Sequence, residues 1–350
     1  MQLPDCSIIV CTYNRADMLR DALASLVTQE TDGWFGYEVV VVDNASTDDT
    51  AAAIAEAAAR SSVPLRGVVE RQGGIAYARQ RGIQEARGQW FAFFDDDQVA
   101  DRRWLLELMT MARRRKIRCV GGAVHLRLPQ DCRRELAPIC RALLGESVDM
   151  PAPLRYGRKV APGCGNLLVH RSVFQEVGGF DLSLDEAGED TDLFRRIRAA
   201  GIEAWYTPRA VVEHVIRPAR LCEASLRLTA WRVGGHVARR EHAEYGRLAL
   251  SMLTLARTAK TMVASPLGRL SAGLRRDREA AAGARCAEAL ALGYLRGALQ
   301  LIAPRLFHQE TLVSRLAFRA DPFTRQQTPG AVARERSSRA APTSRCEVIQ

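Results

Sequence analysis

The chain has 350 residues, 47% of them hydrophobic and 26% charged, a composition that supports a substantial core and excludes wholesale disorder. Its length exceeds what one hydrophobic core usually organises, so two structural parts are expected. The formal net charge of +10 is uneven: residues 216–350 hold 23 Lys/Arg against 10 Asp/Glu (+13), and residues 1–215 hold 27 against 30 (−3).

In chain order, residues 7–10 are a short β-branched run that passes through Thr12, Tyr13 and Asn14 into a segment with apolar residues at Leu19, Ala22, Leu23 and Leu26. That spacing predicts strand, loop and amphipathic helix. Residues 39–42 are a valine run of the buried parallel type, followed by a polar turn over 43–49 and an alanine-rich helix over 51–60. A third unit has a strand at 65–70, a loop at 71–74 and a helix at 75–86 closed by Gly88; residues 90–94 make the fourth strand. The alternation predicts an α/β fold, a mostly parallel sheet with flanking helices.

Further on, the pattern predicts a helix at 102–115, a strand at 119–124, an irregular stretch at 131–158, a strand at 167–170, a helix at 190–200 stopped by Gly201, and a short strand at 211–214. Beyond 216 it changes to basic helical segments at 221–240, 247–262 and 286–301. The domains expected are therefore an α/β domain over 1–216, a basic helical C-terminal extension over 217–319 and a disordered tail over 320–350. Cys346 stands one residue too early for a prenylation box.

The nine cysteines are scattered with no Cys-x-x-Cys pair, which argues against a zinc site; with a strand pattern beginning almost at once, a reducing cytoplasm is expected. In the helical part, uncharged stretches such as 248–256 and 297–304 fall well short of the roughly 20 residues of a spanning helix.

Ligands of open α/β sheets bind at the carboxyl ends of the strands. Here those ends carry Thr12-Tyr13-Asn14, Asp43-Asn44, Arg71 to Gly74, and Asp95-Asp96-Asp97. Three adjacent aspartates repel one another, and magnesium or manganese with phosphate oxygens would satisfy them; a solvated acidic turn capping the next helix would also account for them. A second acidic group, Glu189, Asp190 and Asp192, opens a helix, where a helix dipole alone favours acids. The Gly178-Gly179-Phe180-Asp181 turn and the Gly163-Cys164-Gly165-Asn166 loop beside it suggest a cleft wall.

Four segments, Ser7-Ile-Ile-Val-Cys-Thr-Tyr-Asn-Arg15, Val-Val-Asp43-Asn-Ala-Ser-Thr-Asp48, Phe-Phe-Asp95-Asp-Asp97 and Gly188-Glu-Asp190-Thr-Asp-Leu193, closely resemble family 2 of the glycosyltransferases. The resemblance covers roughly residues 5–216, and finer runs such as Gly74-Ile-Ala-Tyr-Ala-Arg79 are similar to bacterial exopolysaccharide enzymes of the succinoglycan glucosyltransferase type. It implies the GT-A fold and metal-dependent, inverting transfer from a nucleotide sugar, UDP-glucose favoured, to a glycan or lipid-linked acceptor, with a rhamnosyl- or other family 2 transferase as the alternative.

Carried over by residue, the resemblance implies that Cys11, Thr12, Tyr13 and Asp43 hold the nucleoside, with Gly74, Arg79, Asp95 and Asp96 around the rest of the donor. It implies metal contacts at Asp97 and His214, a catalytic base at Asp190, and acceptor-side roles for Glu189 and Asp192. Cys11 stands where the family often has proline. The basic helices suggest peripheral contact with the inner face of the cytoplasmic membrane. A nucleic-acid partner is not expected, because no aromatics interleave with the basic residues. A nicotinamide-dependent dehydrogenase is disfavoured because no Gly-x-Gly-x-x-Gly follows the first strand.

Overall fold

The computed structural model describes residues 3–130, 132, 135–147, 150–157, 160–184, 188–274 and 277–304. The tail expected over 320–350 lies outside the described residues, as does the end of the helical region. The described chain divides into two units: residues through Arg127 with Ser147–Val215, and Leu128–Glu146 with the chain from Ile216 onward. Residues 128–146, which the sequence grouped with the α/β part, therefore belong to the helical unit.

The first unit begins with β1 (Cys6–Thr12), α1 (Ala16–Leu26), β2 (Tyr37–Asp43), α2 (Thr50–Arg60), β3 (Leu65–Val69), α3 (Ile75–Glu85) and β4 (Trp90–Asp95). This is the alternation the apolar runs predict. After a two-residue turn come β5 (Gln98–Ala100), α4 (Trp104–Arg115) and β6 (Cys119–Arg127); α5 (Pro138–Leu143) lies in the second unit. The first unit then resumes with β7 (Leu154–Arg155), β8 (Asn166–His170), α6 (Arg171–Val177), α7 (Glu189–Ala199) and β9 (Ala204–Val215).

The sheet runs β3-β2-β1-β4-β8-β6-β9-β5, with β7 on β9. Strands β1 to β4 pair in parallel, as does β6 with β9; β8 is antiparallel to both β4 and β6. The central strands are buried on both faces, which explains their continuous apolar runs. Successive side chains serve opposite cores: Ile8 and Val10 pack with Leu19, Leu23 and Trp104, while Ile9 packs with Phe91, Phe93 and Phe174. Truncating any of these large side chains costs about 2–5 kcal/mol.

One departure from helix propensity matters for the site. Gly82 lies in the middle of α3, where glycine costs about 1 kcal/mol relative to alanine. A Cβ there would collide with the Ile9 side chain on β1. The glycine lets α3 lie close under the sheet, and Arg79 on the same helix is thereby buried.

In the second unit, a 3-10 turn at Pro218–Leu221 leads into α8 (Glu223–Leu274), which is followed by α9 (Arg278–Ile302). Helix α8 breaks at Gly246, whose φ of 79° and ψ of 178° are not helical. The break falls in the gap between the helices expected at 221–240 and 247–262. Glycines make the α8–α9 packing close: a Cβ on Gly293 would run into the Trp231 backbone. Tyr294 on α9 donates to Glu241 at 2.8 Å, and Arg257 donates to the same carboxylate at 2.6 Å. Among the described residues no helix is long and apolar enough to cross a membrane.

Candidate active site

The carboxyl ends of β1, β2 and β3 are laced by side chains that recognise backbone. Asn44 donates to the Glu70 and Gln72 carbonyls at 3.1 and 2.6 Å and accepts from the Gly74 amide at 2.9 Å. Asn14, at a positive φ of 51°, accepts from the Thr47 amide at 2.7 Å, and Asp48 accepts from the Ala16 amide at 3.1 Å. Asp43 is buried, and its Oδ1 accepts from the Ser46 amide at 2.9 Å. Three loops are thus fixed against one another, and they bring Thr12, Tyr13, Asp43 and Gly74 to one edge of the sheet. Gly74, with a φ of 130°, is in a conformation that side chains rarely adopt.

The aspartate triplet divides its roles by position. Asp95 closes β4, and Asp96 and Asp97 form the turn into β5. Two arginines offset the repulsion within the triplet. Arg15 Nη1 donates to Asp96 Oδ1 at 2.9 Å and to Asp97 Oδ2 at 3.0 Å. Arg79 Nη2 donates to Asp95 Oδ1 at 3.3 Å. Burial works against the Arg15 charge, yet Asp96 and Asp97 hold the guanidinium above its ordinary range. Burial pushes the Asp96 carboxyl up to about 6, against the pull of Arg15.

His214, near the end of β9, is brought to the triplet by the sheet register that sets it opposite Gln98. Its Nε2 lies 3.3 Å from Asp97 Oδ2, and the neighbouring Val215 amide donates to the Asp97 carbonyl at 2.8 Å. Among the described residues no three His, Cys, Asp or Glu side chains are grouped to cage a metal. An adjacent carboxylate oxygen and imidazole nitrogen do suit a magnesium or manganese ion that takes its remaining ligands from phosphates and water. On that donor set the residues fit the metal.

The second acidic group splits three ways within one helical turn. Glu189 is buried and accepts from Arg79 Nη1. Asp192 accepts from Arg195 and Arg196, both at 2.7 Å, and Arg196 in turn donates to the carbonyls of Val177, Gly178 and Gly179. Both carboxylates expected on the acceptor side, Glu189 and Asp192, are thus held by arginines. Asp190 Oδ1 accepts from the Thr191 amide at 2.6 Å. Its Oδ2 faces Gly163, 3.9 Å from where a Cβ on that glycine would stand.

The loop between β7 and β8 touches both acidic groups. Gly163 faces Asp190, and a Cβ on Gly165 would collide with Asp95 Oδ2 and come within 2.7 Å of Gln98 Nε2. Gln98 Oε1 is buried without a hydrogen-bond partner. Cys11, expected at the nucleoside, packs on the side of the sheet that holds Arg79; burial pushes its thiol up to about 12, so it is no nucleophile.

Sequence reading missed Arg15, Gln98, the pairing of Arg79 with Glu189, and the structural part of Asn166. Asn166 Nδ2 donates to the Ala123 and Ala210 carbonyls, both at 2.9 Å, and its Oδ1 accepts from Trp104 Nε1 at 2.8 Å. The available signal for Arg15 was chemical: three adjacent acids require positive charge nearby, and Arg15 ends the first motif.

Residues 7–146 match the model of glycosyl transferase family 2. Among curated proteins, the chain is 29% identical over 219 residues to glycosyltransferase AglE of Haloferax volcanii, a match covering 62% of this chain and 68% of that one. It is 28% identical over 232 residues to succinoglycan biosynthesis protein ExoM of Rhizobium meliloti, covering 64% and 71%. Two further curated relatives, from Escherichia coli and Sinorhizobium fredii, are matched over 30% and 24% of their own length. Among solved structures, a mannosyltransferase from Pyrobaculum calidifontis superposes with a TM-score of 0.56 at 21% identity, covering 87% of this chain and 89% of that one. The fold is of that GT-A transferase type.

Proposed function

We propose, from the match of residues 7–146 to the glycosyl transferase family 2 model, that the chain is an inverting, metal-dependent hexosyltransferase that moves a sugar from a nucleotide donor to a hydroxyl of a glycan or lipid-linked acceptor. The observation that carries this reading is the division of carboxylates across one loop: Gly165 against Asp95 and Gly163 against Asp190. A reacting sugar between donor and acceptor needs such a divided site.

Tyr13 is partly exposed at the end of β1 and presents a ring for the base, and Asp43 lies on the neighbouring strand end. Asp97 and His214 would hold the divalent ion, which when bound supplies positive charge for the diphosphate leaving group. Asp190 Oδ2 accepts the proton of the acceptor hydroxyl as that oxygen bonds to the anomeric carbon and the bond from that carbon to the phosphate oxygen breaks. The electron pair leaves with the nucleoside diphosphate, and attack from the opposite face inverts the anomeric centre.

Kinship with a succinoglycan biosynthesis protein supports a cell-surface polysaccharide as the product, and UDP-glucose is our leading donor. The Pyrobaculum mannosyltransferase was solved with GDP-mannose and manganese, which makes a guanine donor the first competitor. A thermal-shift screen of UDP-, GDP- and dTDP-sugars with manganese tests the reading: one donor class should stabilise the protein only with the metal, and no response to any of them would contradict it.

The second unit supports contact with the inner face of an anionic membrane. Leu248, Met252 and Leu255, one turn apart on α8, are 85%, 74% and 75% exposed. They belong to a part of the chain that carries +13 over residues 216–350. An apolar stripe on a basic helix is the pattern that lies in a lipid interface.

A further inference from the structure

Arg79 has two carboxylate partners that belong to different halves of the site. It rises from α3, which the Gly82 contact holds close under β1. One guanidinium nitrogen meets Asp95 at the end of β4, and the other meets Glu189, the first residue of α7. Arg79 is 7% exposed and Glu189 is 5% exposed. A charge so buried is retained only when it is paired and hydrogen-bonded.

The surroundings show what this pair has to do. Helix α7 has no side-chain cap: its N-cap is Gly188, in a left-handed conformation with a φ of 102°. Glu189 is the side chain of that turn that ties it to α3. The next residue on α3 secures the chain before that turn, since Gln80 Oε1 accepts from the Phe180 amide at 3.0 Å. Arg79 also lies over the Phe180 ring, its Cζ 6.0 Å from the centroid. Two successive residues of α3 thus hold Phe180 and Glu189. Asp190 follows at once.

We propose that Arg79, acting through Glu189, is a positioning residue that fixes Asp190 at a set distance from the Asp95 end of the donor site. The inference rests on Asp190 being the base. It assigns Glu189 no contact with either substrate. A displacement of the base by about 1 Å is enough to cost about 100-fold in turnover while donor binding persists.

The test compares Glu189→Gln with Glu189→Asp in the full chain. Glutamine keeps an acceptor oxygen at the same reach from Arg79, whereas aspartate withdraws it by one methylene. With manganese and UDP-glucose or GDP-mannose, we expect nucleoside diphosphate release to fall about 100-fold in the aspartate variant and by no more than about threefold in the glutamine variant. The calorimetric Kd of the donor should stay within about threefold in both. Independently of turnover, backbone amides of residues 189–193 should exchange faster in the aspartate variant alone.

Equal release rates in the two variants, donor affinity falling in step with turnover, or equal amide exchange would each overturn the proposal. Asp190→Asn separates this failure from that of the wider reading. If that variant is inactive while Glu189→Asp is normal, only the positioning claim falls; if Asp190→Asn remains active, the assignment of the base falls first.

Discussion

Asp97 Oδ2 lies 3.3 Å from His214 Nε2 and 3.0 Å from Arg15 Nη1, so one carboxylate oxygen stands between an imidazole and a guanidinium. The two contacts serve different ends. Arg15 neutralises the turn, whereas the contact of His214 with Asp97 is the donor pair that the proposed function gives to a divalent ion. Asp97→Ala should weaken manganese-dependent binding of the donor by about 100-fold and leave the metal-free affinity unchanged. Calorimetry with and without manganese measures both, and a manganese effect of wild-type size in the variant would remove Asp97 from the metal.

Gly165 bears on the donor side alone. An alanine Cβ would press on the Asp95 carboxylate, which Arg79 holds, and on the buried Gln98 amide. Gly165→Ala should raise the donor Kd about tenfold or more while lowering the stability of the fold by about 1–3 kcal/mol. Donor titration and urea unfolding report the two effects separately, and unaltered donor affinity would take the loop out of the sugar site.

Asn166 is a structural residue that opens β8, directly after Gly165. Its three hydrogen bonds tie β8 to the Ala123 and Ala210 carbonyls and to the Trp104 indole. Asn166→Asp would set a carboxylate against two carbonyl oxygens in a buried position, and we expect about 3 kcal/mol of lost stability. Urea unfolding at neutral pH measures it. A loss below about 1 kcal/mol would mean that the site relaxes around the charge.

These cases show what was legible in the sequence. The valine run of β2 and the alternation through β4 follow from local period, since both faces of those strands are buried. Helix α5 was not legible: the partners of its Cys140 include Cys286, with the sulfurs 3.8 Å apart, and nothing local to 128–146 encodes a helix so distant in the chain. Strand β8 was found, but its antiparallel sense depends on where the chain re-enters the sheet. In the site, the strand-end motifs carried most of the placement. For the acids of α7, a helix dipole accounts for carboxylates in a first turn, but nothing local encodes the partner of Glu189, which lies on α3.

The α8 stripe carries a prediction that does not depend on catalysis. Replacing Leu248, Met252 and Leu255 together with glutamine should change stability by no more than about 0.5 kcal/mol per site, because all three are exposed. Flotation with vesicles containing phosphatidylserine should be lost, while the uncharged phosphatidylcholine control binds neither protein. Equal flotation of the variant and the parent would place any membrane contact elsewhere.

The reaction itself is tested most directly at Asp190. With manganese and the donor identified by thermal shift, the rate of nucleoside diphosphate release should fall at least about 1000-fold in Asp190→Asn, with donor Kd within about threefold of the parent chain. A variant that binds the donor and turns it over at the parent rate would contradict the account, because no other carboxylate described beside Gly163 would remain to take the proton.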